Sequence, residues 1–442
     1  MRNSTQEIFA MTIGCLSAVL LLHHMLKKLG LYCILLNIAL LVGAVSFPND
    51  GHGQTKIGFV MPEKARKVEV PFEQFNNLIV IPITINNNLT LKFILDTGAE
   101  SAILTEKLFG DILGLNYVRQ ININAPGEID SLEAFVATNI TMSLPGGISG
   151  KGINMLVLKE DYLELNKNMG EEVYGIIGYD VFSRFTINVD YDDKILTFYE
   201  PENYKPRKSQ IRVPMEIVNT KPYISMRVMQ KENIDTVTLM VDSGASHAML
   251  LDVDHTEEII IPNEVIPTAL GQGLGGEIPG YVGRMASCNL QKFNFNEPLV
   301  SIPISGSYMK AIKRGSRQGT IGGEILSRLN TTFDYRGNNL YITRGNRYKE
   351  KFEFNMSGMS LGVVGDQLDS IKVVKIQENS PAEEVGIQPG DFVLKINGKS
   401  LHHNSFTEIN SMLRSKEGRK IRVLLLRDDK KFKLKFRLRR LI

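Results

Sequence analysis

An apolar run that ends in a carboxylate is costly to bury, and this chain contains two of them. Phe93-Ile94-Leu95-Asp96-Thr97-Gly98-Ala99 is restated 146 residues later as Leu239-Met240-Val241-Asp242-Ser243-Gly244-Ala245. Each copy reads as a buried strand that delivers one Asp, then a hydroxyl residue, then Gly-Ala. A carboxylate so placed is destabilising unless it has a partner or a task. Two such strands in one chain point to the carboxylates as each other's partner.

The restatement does not stop at the motif. Gly127-Glu128-Ile129 is matched by Gly276-Glu277-Ile278. Gly175-Ile176-Ile177-Gly178-Tyr179-Asp180-Val181-Phe182-Ser183-Arg184 is matched by Gly319-Thr320-Ile321-Gly322-Gly323-Glu324-Ile325-Leu326-Ser327-Arg328. A strand ending in Asp-Tyr follows each, at Asp190-Tyr191 and Asp334-Tyr335. The three landmarks recur in order at offsets of 146, 149 and 144 residues. A period this long marks a duplicated lobe rather than a solenoid unit. From residue 71 to about 344, apolar stretches are short, alternating and broken by Gly, Asn and Pro, so the fold is expected to be mainly β. Residues 78–85 and 91–95, split by Asn86-Asn87-Asn88, read as a hairpin leading into Asp96, and residues 223–229 and 237–241 lead into Asp242 in the same way. Lobe one is assigned to 71–205 and lobe two to 206–346. Two such lobes can pack about a pseudo-twofold axis, where each residue near the axis meets its own counterpart.

This organisation resembles the retropepsin-like aspartic proteases, in a fused two-lobe form that also resembles pepsin. The resemblance covers roughly residues 75–345, with both copies of the Asp-Thr/Ser-Gly motif intact. It implies an endopeptidase in which Asp96 and Asp242 activate a water, one accepting its proton while the other donates to the scissile carbonyl oxygen. Two carboxylates this close share one proton and titrate as a pair, and the dyad of this family is itself the standard example of such splitting. The resemblance gives Thr97 and Ser243 crossed hydrogen bonds that lock the dyad, since a hydroxyl donates and accepts at once. Gly98 and Gly244 allow close backbone approach and aim N–H groups at the carboxylates. The Ile176-Ile177-Gly178 and Thr320-Ile321-Gly322 segments close the arrangement beneath each Asp. The run Gly271-Gln272-Gly273-Leu274-Gly275-Gly276 followed by Glu277 is the candidate substrate flap of lobe two, with Gly275, Gly276 and Glu277 at its tip. Gly127 and Glu128 mark its counterpart in lobe one. Glu100 and His247, just after the motifs, read as lobe-surface residues, with tuning of the dyad's titration as the alternative.

After Arg344 the composition changes. Asn346 to Lys351 reads as a charged linker. Then come Ser380-Pro381-Ala382 opening a short capped helix, Gln388-Pro389-Gly390-Asp391 as a turn, and Phe392-Val393-Leu394-Lys395-Ile396 as a strand stopped at Asn397-Gly398. Ser405 caps a second helix. Residues 354–442 resemble a bacterial-type PDZ domain, a small α+β module. The resemblance implies that an extended peptide or a protein C-terminus adds to a sheet edge, its carboxylate held at a loop around Leu361, Gly362 and Val363. Gly358-Met359-Ser360-Leu361-Gly362 also has the Gly-x-Ser-x-Gly form of serine hydrolases, but no strand-turn-helix pattern or His/Asp set accompanies it. The alternating tail from Phe432 to Arg439 reads as a last strand with a basic outer face.

Composition closes off other classes. Over 442 residues, 43% are hydrophobic and 22% charged, and the formal charge is only +3, so no nucleic-acid partner is expected. No Cys/His cluster has zinc spacing, and neither a metal nor another cofactor is expected. Residues 1–46 hold two apolar runs. Read from Met1 they form two short membrane helices; read from Met25 they form a secretory signal peptide with Ala44-Val45-Ser46 as cleavage site. Either an uncleaved anchor or a cleaved signal exports the body to a periplasmic, extracellular or membrane-anchored location, with membrane contact only through that segment if it is retained. Residues 47–70 read as a leader. Two other functions fit parts of the pattern: a catalytically silent scaffold acting through its PDZ groove, and a glycosidase, whose two carboxylates stand about 5 Å or more apart.

Overall fold

The computed structural model describes residues 57–123, 132–230, 233–252, 259–304, 317–365, 368–400 and 405–442. The expected signal or anchor segment lies outside these residues. Among those described, no helix is long and apolar enough to cross a membrane.

The fold is mainly β, and local chemistry sets its hairpins. Leu78–Ile85 and Leu89–Leu95 pair antiparallel. Their turn uses Asn86 and Asn87 at φ of 49° and 54°, the left-handed region that Asn tolerates better than other side chains. Lys221–Gln230 and Asn233–Val241 form the matching hairpin of the second repeat, longer than the apolar alternation alone indicates.

Each hairpin belongs to a five-strand core. In the first repeat the order is Ser149–Leu158, Ala102–Leu104, Gly175–Ile177, Leu89–Leu95, Leu78–Ile85. In the second it is Leu299–Pro303, Met249–Leu251, Gly319–Ile321, Asn233–Val241, Lys221–Gln230. Successive neighbours run parallel, antiparallel, parallel and antiparallel in both. The same strand order with the same directions is what a repeated pattern of apolar runs and Gly stops specifies.

A third sheet joins the repeats. Its order is Ile211–Pro214, Asn339–Arg344, Leu329–Asp334, Thr186–Asp190, Ile195–Tyr199, Lys67–Pro71. At its centre Ile187, Asn188 and Val189 pair with Phe333, Thr332 and Thr331. Asn188 Nδ2 donates to Asn330 Oδ1 at 2.7 Å and Thr332 Oγ1 at 2.9 Å, so the polar side chains at this junction satisfy one another. One continuous apolar core runs through both repeats, from Phe59 to Phe352.

The segment expected to be a charged linker is held by its neighbours. Asn346–Lys349 forms a 3-10 turn, and Phe352 is buried in the main core. The fully buried Arg328 guanidinium lies 3.8 Å from the Phe352 ring centroid, and its Nη2 donates to the Lys351 carbonyl at 3.1 Å. Arg284 Nη1 donates to the Phe352 carbonyl at 2.6 Å. An apolar ring and two guanidiniums outweigh the charged look of the stretch. Beyond it, the C-terminal module folds as a sheet in the order Met359–Val364, Ser370–Ile376, Phe392–Ile396, Lys420–Arg427, Lys430–Arg437. The helices Pro381–Glu384 and Ser405–Leu413 share its separate core, and Ser380 Oγ accepts from Glu383 N as the expected cap.

Candidate active site

The strands that carry the two Asp residues end against short buried neighbours. Gly175–Ile177 runs parallel to Leu89–Leu95, and Asp96 N donates to the Ile177 carbonyl at 2.8 Å. Gly319–Ile321 runs parallel to Asn233–Val241, and Asp242 N donates to the Ile321 carbonyl at 2.9 Å. Both strand ends are therefore fixed from below, and both carboxylates emerge at the junction between the repeats.

The hydroxyls after each Asp cross that junction. Thr97 N donates to Ser243 Oγ and Ser243 N to Thr97 Oγ1, each at 3.0 Å. Thr97 Oγ1 then donates to the Val241 carbonyl at 2.7 Å, and Ser243 Oγ to the Leu95 carbonyl at 2.8 Å. Both side chains are fully buried. Each hydroxyl in this ring of four bonds both donates and accepts, and a buried group left unpaired here costs about 1–3 kcal/mol.

Within each motif the Gly amide reaches back: Gly98 N donates to Asp96 Oδ1 at 2.6 Å and Gly244 N to Asp242 Oδ1 at 3.0 Å. A side chain would be tight at residue 98 and would overlap the opposite carboxyl at residue 244. A β-carbon on Gly98 would lie 3.1 Å from Asp96 Oδ1 and 3.2 Å from Asp242 Oδ1, and one on Gly244 only 2.2 Å from Asp96 Cγ.

Asp96 and Asp242 converge on one point, since a β-carbon on Gly98 would stand within 3.2 Å of an oxygen of each. Burial first, then the charge of Asp242 and the bond to it, hold the Asp96 carboxyl well above the usual carboxylate range. The Gly98 amide and the Lys221 charge pull the other way. Two facing carboxyls in little water thus keep one proton between them. A pair of carboxyls that shares one proton can act as a general base and a general acid at one point in space.

Sequence reasoning missed two neighbours of this pair. Lys221 stands where the first repeat has Leu78, each opening its strand; the swap of an apolar residue for a cation is visible once the copies are aligned. Tyr335 is buried and stacks on Phe182 with ring centroids 5.4 Å apart. Its hydroxyl has no hydrogen-bond partner among the described residues. Burial, and then the charges of Asp96 and Asp242, push its ionisation up.

His247 departs from its expected surface position. Its Nε2 lies 2.9 Å from Thr320 Oγ1, on the strand beside Asp242, because Ala248-Met249-Leu250 draws the chain into the core. Glu100 is exposed. Burial lowers the His247 pKa to about 4, against the opposing pull of Asp242. Between that value and the ordinary 6.5, the unfolded chain binds the proton and the folded one does not, so this group weakens the fold as pH falls through the window. His247→Gln should therefore gain on the wild type by up to roughly 3 kcal/mol as pH drops from 6.5 to 4. Denaturant melts of both proteins across that range check it; a constant difference would contradict it.

The second-repeat flap residues lie on a hairpin of Val265–Gly273 and Gly276–Arg284. Gly275 is buried, Gly276 has φ of 106°, and Glu277 is exposed. Gln272 Nε2 donates to the Tyr162 carbonyl at 3.1 Å, and Leu274 packs among apolar residues of the first repeat. Gly127 and Glu128 lie outside the described residues, between the paired strands Tyr117–Ile123 and Leu132–Ser143. In the C-terminal module, Leu361, Gly362 and Val363 belong to the Met359–Val364 edge strand rather than to a loop, with a register shift after Ser360. Ser360, in the serine-hydrolase-like motif, is exposed on that strand.

Residues 81–181 match the aspartyl protease family, and residues 372–427 match the PDZ domain family. The chain is 26% identical over 140 residues to the carboxy-terminal processing protease CtpB of Bacillus subtilis (strain 168), covering 31% of this chain and 28% of that protein. It is 31% identical over 90 residues to a probable CtpA-like serine protease of Staphylococcus saprophyticus, covering 20% of this chain and 18% of that protein. The chain thus spans under a third of the length of either relative.

Proposed function

We propose that this chain, which carries an aspartyl-protease segment and a PDZ domain, is an aspartic endopeptidase with Asp96 and Asp242 as its catalytic pair. The observation that carries the reading is the pair itself: two carboxyls that converge beside Gly98, the Asp96 ionisation pushed up by burial and by the charge of Asp242, over a ring of crossed Thr97 and Ser243 bonds. A water bound between them loses its proton to one carboxylate as it attacks the peptide carbon. The other carboxyl gives its proton to the carbonyl oxygen, and no covalent intermediate forms. The near-equivalence of the two sides lets the roles exchange, so neither Asp is named acid or base. A glycosidase is disfavoured because its carboxyls need about 5 Å or more between them to admit a sugar, whereas here a single β-carbon on Gly98 would touch both carboxylates.

In this reading the two repeats are lobes related by a pseudo-twofold axis through the dyad, and the Val265–Arg284 hairpin is the flap over the substrate. Residues 1–46 export the body. The PDZ domain binds ends or extended segments of peptide and protein partners.

Incubating the purified body with a peptide library from pH 3 to 8, beside Asp242→Asn, tests the reading. Cleavage at internal bonds by the wild type alone is the expected result. Absence of cleavage at every pH, or equal cleavage by the variant, would refute it.

A further inference from the structure

The Met359–Val364 strand ends the sheet of the C-terminal module and, among the described residues, pairs only with Ser370–Ile376. A peptide joins such an edge by continuing its hydrogen-bond ladder. Here the edge is already covered. The short helix Leu165–Met169 of the first repeat packs on this strand. It ends at Gly170, whose φ of 68° turns the chain away and whose N–H donates to the Asn166 carbonyl at 2.8 Å. A β-carbon on Gly170 would stand 3.1 Å from Val363 Cγ2 and 3.1 Å from Phe406 Cβ and Cδ1. Val363 is on the edge strand and Phe406 on the helix Ser405–Leu413. A side chain at residue 170 would therefore press on both walls at once, in a seam already tight for a single β-carbon.

The same stretch reaches the flap. The Tyr162 carbonyl holds Gln272 of the hairpin. Leu274 at the hairpin turn packs in one apolar cluster with Leu163, Leu165 and Met169. Residues 162–170 thus contact the flap at one end and the groove at the other.

We infer that the peptide groove of the C-terminal module is closed by this chain's own residues 165–170, and that a peptide with an apolar last residue and a free carboxylate competes with them for it, loosening the stretch that holds the flap. The apolar walls select the last residue, and the strand edge selects an extended backbone. The flap half of the inference rests on the protease reading; the groove half rests on the contacts alone. A peptide that binds only the undocked form has its affinity reduced by the undocked fraction, and its binding shifts the population by that same difference.

The probe is an equimolar set of hexapeptides ending in Ala, Val, Leu, Ile or Phe, each with a free or an amidated C-terminus. Hydrogen exchange on the full chain is expected to show slower exchange at 359–364 and faster exchange at 162–173 with the free-carboxylate set, and no change with the amides. Gly170→Asn keeps a left-handed backbone accessible but puts a polar side chain into the seam. It should bind the best free-carboxylate peptide about tenfold more tightly, the factor expected if docked chains outnumber undocked ones by about nine to one. If that variant does not fold, the exchange comparison on the wild type decides. Protection at 359–364 with unchanged exchange at 162–173, equal affinities of wild type and variant, or no carboxylate-dependent binding would each overturn the inference. None of these readouts needs catalysis, so a chain with no peptidase activity that still shows them would refute the protease reading and leave the groove inference standing.

Discussion

Asp96→Asn is expected to abolish peptide hydrolysis and, at neutral pH, to stabilise the fold. The loss of activity follows from the shared proton. An amide can neither take a proton from water nor return one, so the pair keeps a single working member, and a drop of about a thousandfold or more is expected. The gain in stability follows from the sign of the titration. The folded-state pKa of Asp96 lies well above the ordinary value of 3.8, chiefly through burial and then through Asp242. Between those two pKa values the folded chain holds a proton that the unfolded chain has released, so the wild type loses stability as pH rises through the window. The contribution is whole below 3.8 and gone above the folded-state pKa. Asn is neutral at every pH and has nearly the same shape. Melting curves of the two proteins should therefore separate as pH rises from 4 to 8, with the variant ahead. Parallel curves would contradict the raised pKa, and an active variant would contradict the dyad.

Gly244→Ala is expected to inactivate far more completely than Gly98→Ala. The added methyl on residue 244 would sit 2.2 Å from Asp96 Cγ and 2.5 Å from both of its carboxylate oxygens. The Asp96 carboxyl is held by the Gly98 amide, so swinging clear of that overlap would break this bond. The carboxyl or the strand behind it must move by about 1 Å, and a displacement of that size at reacting atoms costs about a hundredfold in rate. At residue 98 the methyl would meet carboxylate oxygens at 3.1 Å and 3.2 Å, a squeeze relieved by a few tenths of an ångström. Turnover of one peptide by both variants, with circular dichroism to check folding, measures the asymmetry. Equal losses would show that the two halves of the site are more alike than these contacts allow.

The parts of this molecule that were legible in the sequence are those that local pattern determines. Short apolar runs stopped by Asn or Gly specify the hairpins, and two copies of one run ending in Asp specify a meeting point. The rest depends on what arrives from far along the chain. Phe352 sits in a stretch of charges, and only the arrival of Arg328 and Arg284 shows it to be an anchor. His247 corresponds to Ser101 in the first copy and follows a polar residue, so nothing nearby announces that Thr320 will face it. Gly170 looks like an ordinary helix stop; its second role depends on Val363 and Phe406, some two hundred residues away. The family resemblance puts a loop around Leu361, Gly362 and Val363, yet pairing with Ser370–Ile376 makes them a strand.

The sheet shared between the repeats has a consequence for how the protein is made. Thr186–Asp190 emerges from the ribosome well before its central neighbour, Leu329–Asp334. Until then Ile187, Asn188 and Val189 present bare backbone groups along an apolar strand, the kind of edge that recruits strands from other chains. A chain stopped after residue 205 would keep that edge for good. Half of this molecule is thus an aggregation hazard rather than a smaller version of the whole, and the nascent first half needs either speed or shelter until the second half arrives.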